Sequence, residues 1–349
     1  MHASNTMKVI LIAPLRSHTG NASSAHRIRD ILECNTDVTC ELLSCHDITS
    51  VEELNGYIGT LQANCVLAIH AYRSGHLLPG CCKPYAVIFG GTDVNEHHQN
   101  KHKMEVMTAA LQKARFVIAF SRPMMLKAKE LWPDICDRII QQPQGIITSP
   151  SKTFCFHQHL NTHYGVPLGS HIFLLVAGIR PVKDPLFLVK YFSAWHHKNE
   201  TVWFVIVGPS LNEEFTLECK EAIDSLSGVL LIDCLPQDEA HAAIRDSTAL
   251  INSSLSEGMC AAILEAMDLN TPVIARNIEG NAAIVQHRIT GLLYQTPQEF
   301  IAEAKEILSN QTLRTSLACE AKKYVAKHHS VDEEKLCYLQ IIQDLSNNT

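Results

Sequence analysis

Short apolar runs rich in Val and Ile alternate with amphipathic segments, and this alternation limits the fold more than any other feature. MKVILIAP, VTCELL, CVLAIHA, YAVIF and FVIAF are the runs of the first half, with segments such as SSAHRIRDILE and KMEVMTAALQKA between them. Runs this apolar fit strands buried on both faces, as in a parallel sheet covered by helices. The alternation pauses over residues 141–170, where Pro, Gly, Ser and His replace periodicity, and this stretch reads as a linker. It restarts with HIFLLVAG, TVWFVIVG, VLLIDC, TALINSS and PVIAR. At 349 residues the chain is long for a single core. The expectation is an α/β protein of two Rossmann-like, doubly wound domains facing a cleft, over residues 1–165 and 166–330. A last segment, 331–349, repeats apolar residues at helical spacing, Leu336, Leu339, Ile342 and Leu345, and that stripe needs a surface to cover.

Composition removes several function classes. The 29 basic and 36 acidic residues give a net charge of −7 with no basic tail, so nucleic-acid binding is not expected. No apolar run reaches the roughly 18 residues that span a bilayer. Little basic charge precedes the apolar run of MHASNTMKVILIAPLRS, and no clear small-residue cleavage site follows it. It reads as a first strand of a cytoplasmic protein, with a signal segment of a secreted protein as the alternative. The 13 Cys are scattered, include no CxxC, and read as reduced thiols packed as small hydrophobes. The His pairs 97–98, 196–197 and 328–329 are adjacent, so their side chains diverge. No metal and no cofactor is expected.

In open parallel sheets, ligands bind outside the carboxyl ends of the strands, and the chemistry-bearing residues fall there. FLLVAGIRPVKD ends a strand near Gly178 and places Arg180 and Lys183 within one turn, two cations suited to a diphosphate. The alternative is a solvated pair of loop charges. FVIVGPS ends a second strand at Gly208, where a missing side chain lets backbone approach a ligand. In NSSLSEGMCAAILEAMDLN the serines suit the cap of a helix over 258–269, whose first amides and dipole favour an anion. Gly258 leaves those amides uncovered, and Glu257 stands at the mouth, able to accept from sugar hydroxyls. Glu265 lies eight residues on, roughly 12 Å along a helix, and a carboxylate there suits a ribose diol. An ordinary capped helix with Glu265 facing solvent is the alternative.

Glu257-x7-Glu265, followed by PVIA, EGNAAIV and TGLLY, resembles the C-terminal signature of GT-B glycosyltransferases of the retaining GT4 type. GIRPVKDP resembles that family's Arg/Lys diphosphate motif in its shorter variant, and HAYRSG, FGGTDVNE and ARFVIAFSRPM resemble its N-terminal strands. The similarity covers nearly the whole chain and is strongest over 172–295. It implies a sugar transferred from a nucleotide-diphosphate donor to an unknown acceptor (glycan, lipid, protein or small molecule), with retention and without metal. Arg180, Lys183 and Glu257 are then the catalytic group: the cations hold the diphosphate and Glu257 contacts the sugar. Glu265 binds the ribose, and Gly280 and Asn281 offer backbone amides near the sugar and phosphate. The loop RSHTGNASS brings Gly20 and Asn21 to the donor phosphate or the acceptor, and the C-terminal helix returns to the first domain.

The chain departs from that pattern at three places. Gly90 stands in FGGTD where the family often has His, although Asp93 is kept. His70 either substitutes in part or is a packed strand-end residue. Ala283 replaces a common Glu, and a usual Gly is replaced around Arg288. A catalytically degenerate nucleotide-sugar binding protein is therefore the alternative from another class, and a sugar-nucleotide epimerase of the same fold is a further one. A dinucleotide-dependent oxidoreductase is disfavoured, because APLRSHTGNASS lacks G-x-G-x-x-G. No DxD is present to bring in a divalent ion.

Overall fold

The ten apolar runs all become strands. The computed structural model describes residues 6–17 and 19–347. Its first sheet holds β1 (Met7–Ala13), β2 (Val38–Ser44), β3 (Cys65–Ile69), β4 (Tyr85–Ile88), β5 (Phe116–Ala119) and β6 (Ile139–Gln141). Their order is β2-β1-β3-β4-β5-β6, and every neighbouring pair is parallel. The second sheet holds β7 (His171–Val176), β8 (Val202–Val207), β9 (Val229–Ile232), β10 (Ala249–Asn252), β11 (Val273–Arg276) and β12 (Leu292–Tyr294). Its order is β12-β11-β10-β7-β8-β9, again all parallel.

Both faces of the second sheet are covered, as runs without polar alternation require. Ile172 and Leu174 pack with Leu264 and Met267 on one face, while Phe173 and Leu175 pack with Phe192 and Phe300 on the other. Each sheet reverses its winding once. In the first sheet, β1 lies between β2 and β3; in the second, β7 lies between β8 and β10. At such a point the connections leave in opposite directions and open a crevice at the carboxyl ends of the two central strands.

The chain divides into two compact units, Met1–Gly145 together with His329–Thr349, and Ile146–His328. Chain exit and return are stitched together inside the first unit. The imidazole Nδ1 of His329 lies 2.9 Å from the Gln144 carbonyl, and the Gly145 amide donates to Glu334 Oε2 at 2.9 Å. Glu334 also receives the Arg27 guanidinium through two bonds of 3.0 and 2.9 Å, and its side chain is fully buried.

Two expectations need correction. The 141–170 stretch is not all linker: Phe156–Tyr164 is helical, with Phe156 and Leu160 buried one turn apart, and Gly165 closes it at φ 70°. The buried stripe of the last helix, Val331–Ser346, is Glu334, Tyr338, Ile341, Ile342 and Leu345. Leu336 is 67% exposed and Leu339 only half-buried. A carboxylate matched to Arg27 takes a place in the stripe that an apolar count gives to leucine.

Candidate functional site

In the second unit the reversal between β7 and β10 decides which residues meet. The segment after β7 passes close to the one after β8, with a bridge between Ile179 and Ser210. Gly178 and Gly208 answer to that packing. A Cβ on Gly208 would run into the Ala177 carbonyl, and one on Gly178 into the Leu211 side chain. Arg180 then precedes a single 3₁₀ turn, Pro181–Lys183, which closes at Asp184 with φ 42°. Its Nε is buried and has no hydrogen-bond partner. Arg276, at the end of β11, fixes this turn: its Nη1 donates to Asp184 Oδ2 at 2.8 Å and to the Ser253 carbonyl at 3.2 Å. The same guanidinium lies 4.0 Å over the Phe187 ring.

Glu257 is the hub. Its Oε1 accepts from Lys183 Nζ at 2.6 Å, Ser254 Oγ at 2.7 Å and Asn252 Nδ2 at 3.1 Å. Burial pushes this carboxyl up, but the Lys183 ammonium and the three hydrogen bonds outweigh it and hold the pKa below the usual carboxylate range. Asn252 Oδ1 accepts from the Ser254 amide at 3.1 Å and from Asn281 Nδ2 at 2.8 Å. Asn281 is thus inside the network, fully buried, and its Nδ2 also reaches the Arg276 carbonyl at 3.0 Å. Gly280 touches the Glu257 backbone so closely that any side chain there would meet the Glu257 carbonyl. Gly280 and Asn281 lie in the first turn of Glu279–Ala282, ahead of its first turn-closing bond, Ala282 N to Ile278 O. Beside the hub, burial and the Glu257 charge push the Cys260 thiol up to about 12, which makes it inert.

The helix expected over 258–269 spans Ala261–Asp268, with Cys260 at its N-cap and no side-chain cap bond. Its supposed caps act elsewhere: Ser253 Oγ donates to the Lys183 carbonyl at 3.0 Å, and Ser254 Oγ serves Glu257. Glu257 and Gly258 therefore lie in the loop before the helix, so helical rise does not set the spacing of the two glutamates. Glu265 is the fifth helical residue, with a side chain 22% exposed. Its Oε1 faces Nε2 of the buried His241 at 3.8 Å.

In the first unit, Asp93 is fully buried and inward-facing. It accepts the Ala71, Tyr72 and Gly90 amides at 2.7, 3.1 and 2.8 Å, and His70 Nδ1 lies 2.7 Å away. Burial opposes ionisation here, but His70 and the hydrogen bonds hold the carboxyl far below its ordinary value. His70 sits just after β3 at φ 76°, 1% exposed, with Nε2 on Thr92 Oγ1 at 2.9 Å. Its ring fills the space above Gly90: a Cβ there would come within 2.8 Å of His70 Cδ2. The glycine and the histidine are a steric pair. His70, Asp93 and His97 have ligand atoms within 4.8 Å of one another, a geometry that could hold a metal ion. Three backbone amides already donate to that carboxylate without one. Gly20 and Asn21 open the helix Gly20–Glu33 rather than lie in a loop, and a Cβ on Gly20 would meet nothing within 4 Å. His18 of that motif lies outside the described residues.

Lys183, Glu257, Gly280 and Asn281 are thus brought together, with Arg180 heading the same turn as Lys183. His70, Asp93 and Gly90 form a second cluster, and Glu265 meets His241 instead of Glu257. Asn252, Arg276 and His241 escaped sequence reasoning. The available signal for the first two was a polar residue closing an apolar strand. Among the described residues, no helix is long and apolar enough to cross a membrane.

The family model described as Glycosyl transferases group 1 matches residues 160–324. The chain is 43% identical over 345 residues to glycosyltransferase 1 domain-containing protein 1 of Xenopus tropicalis, covering 98% of this chain and 99% of that protein. It is similar to the structure of Anabaena HepE with UDP and glucose, at a TM-score of 0.79, 14% identity, and coverage of 97% of this chain and 100% of that one. Sucrose-phosphate synthase from Thermosynechococcus elongatus gives a TM-score of 0.78, 15% identity, and coverage of 98% and 100%. The paired parallel sheets are those of the GT-B fold, and the chain belongs to the group 1 family of glycosyl transferases.

Proposed function

We propose that this chain moves a sugar from a nucleotide-diphosphate donor to an acceptor hydroxyl, with retention and without metal, in the manner of GT4 enzymes. One observation carries the reading: the reversal of the second sheet gathers Arg180, Lys183 and Glu257 onto the ends of β7 and β10. The complex of HepE with UDP and glucose supports a nucleotide-sugar donor. In this reading Arg180 and Lys183 take the diphosphate, Glu257 a sugar hydroxyl, Glu265 the ribose, and the amides of Gly280 and Asn281 the phosphate side. The bond from the anomeric carbon to the diphosphate oxygen breaks, and its electron pair leaves with the diphosphate. The acceptor oxygen bonds to the same face of that carbon, and its proton passes to the leaving phosphate. Fixed cations and amides stabilise the developing charge at no cost in reorganisation. The first unit takes the acceptor, with Gly20 and Asn21 as its candidate contacts, while the buried His70 and Asp93 hold the turn at Gly90. The 13 free thiols support a reducing, cytoplasmic setting.

A panel of nucleotide sugars read by thermal shift tests the donor half, followed by donor consumption with and without added acceptors. Stabilisation by one donor and its slow hydrolysis without acceptor are the expected results. Silence across the panel overturns the reading. The closed Lys183–Glu257 pair favours a second reading, a nucleotide-sugar binding protein that performs no transfer. Binding of a donor that is never consumed would establish it.

A further inference from the structure

We infer that His241 is a positioning residue for the nucleoside site: it orients Glu265 so that one carboxylate oxygen is left for a ribose hydroxyl. The inference rests on the donor reading above and adds a residue to it. His241 lies in the helix Gln237–Asp246 and is 3% exposed. Its Nδ1 accepts the Ser149 amide at 3.1 Å. A nitrogen that accepts an N–H carries no proton, so the neutral ring bears its proton on Nε2. That Nε2 is buried and has no hydrogen-bond partner. The nearest carboxylate oxygen is Glu265 Oε1, 3.8 Å away. A buried donor left unpaired is costly, and the terminal torsion of a glutamate is soft. A small rotation of Glu265 closes the gap.

The tautomer is held from outside the ring. Ser149 belongs to a segment laid across the helix, where the Ser151 amide donates to the Asp238 carbonyl at 2.9 Å. Protonating Nδ1 would set two N–H groups against each other, so the ring stays a one-way donor towards Glu265. With Oε1 on His241, Oε2 of this partly exposed side chain is the oxygen available to a ligand. A carboxylate fixed at one oxygen presents the other in a single orientation, which is what discriminating a ribose hydroxyl requires.

The test measures affinities of the full-length chain for UDP and for 2′,3′-dideoxy-UDP by calorimetry. Wild type should prefer UDP by about tenfold or more, the worth of a hydrogen bond to a charged group. His241→Asn keeps an acceptor for the Ser149 amide but removes the donor facing Glu265. It should lose most of the preference for UDP while binding the dideoxy nucleotide as wild type does. His241→Gln places an amide donor near the Nε2 position and should recover part of the preference. Glu265→Ala should abolish the preference, and His241→Asn should add nothing to it. An unchanged preference in His241→Asn, with Glu265→Ala abolishing it, overturns the inference and leaves the ribose assignment standing. Equal affinity of wild type for the two nucleotides overturns the ribose assignment itself, and the inference with it.

Discussion

Replacing Lys183 with Met leaves the Glu257 carboxylate buried without its counter-charge. The two side chains are 15% and 8% exposed and only 2.6 Å apart, so little water is present to take over. Deleting one partner of a buried ion pair costs about 3–5 kcal/mol. Asn252 and Ser254 still donate to the same oxygen, which places the expected loss at the lower end, about 3 kcal/mol. Urea unfolding followed by Trp fluorescence measures it. Trp195 and Trp203 lie in the second unit and Trp132 in the first, so a Trp132→Phe background reports on the second unit alone. Adding Glu257→Gln should recover most of the loss, because a neutral amide needs no counter-charge. The pH dependence supplies a sharper criterion. In wild type the folded pKa of Glu257 is depressed, so its contribution is present above the unfolded value of 4.5 and fades as pH falls through the folded value. Without Lys183, burial raises the folded pKa above 4.5 instead. The deficit of Lys183→Met is then full at neutral pH and shrinks on acidification towards pH 4. A deficit below about 1 kcal/mol, or one that stays constant between pH 7 and 4, would refute the account of Glu257 as a desolvated anion held by Lys183.

Gly90→Ala sets a methyl against the His70 ring and should destabilise the first unit by about 1–3 kcal/mol. Thermal unfolding should show His70→Ala relieving that loss in the same chain, and additive losses would break the steric pairing. Arg27→Met strands the buried Glu334 and should cost about 3–5 kcal/mol. Hydrogen exchange should quicken in Gly20–Glu33 and Val331–Ser346, and unchanged protection there would show that the clamp carries little stability. Transfer activity should persist in excess EDTA, and a complete loss restored by Mg²⁺ or Mn²⁺ would expose a metal requirement.

Ten of the twelve strands among the described residues were legible because each lies in an apolar-rich run of four or more residues. Ile139–Gln141 and Leu292–Tyr294 are three-residue edge strands, too short for any period to register. The helix Phe156–Tyr164 hides its two buried residues among three histidines. The candidate site was legible where its residues follow closely on strand ends, as with the meeting of Lys183 and Glu257. It was illegible where side chains choose partners across the fold. Ser254 looks like a helix cap in sequence, but the loop turns its hydroxyl onto Glu257 instead. Asn281 was assigned for its amide, while its side chain holds Asn252. Such choices depend on which loops the reversed sheet brings side by side, and no local window contains that.

The stitching of Gln144 to His329 and of Gly145 to Glu334 also dictates an order of assembly. A chain made from its N-terminus completes every residue of Ile146–His328 before the partners of Arg27, Gln144 and Gly145 exist. During synthesis the unit encoded second is therefore the first whose contacts can all be made. The sheet encoded first waits, with the face later covered by Tyr338, Ile341 and Leu345 still open to water. That nascent intermediate, rather than the finished protein, is where a chaperone has an apolar surface to hold.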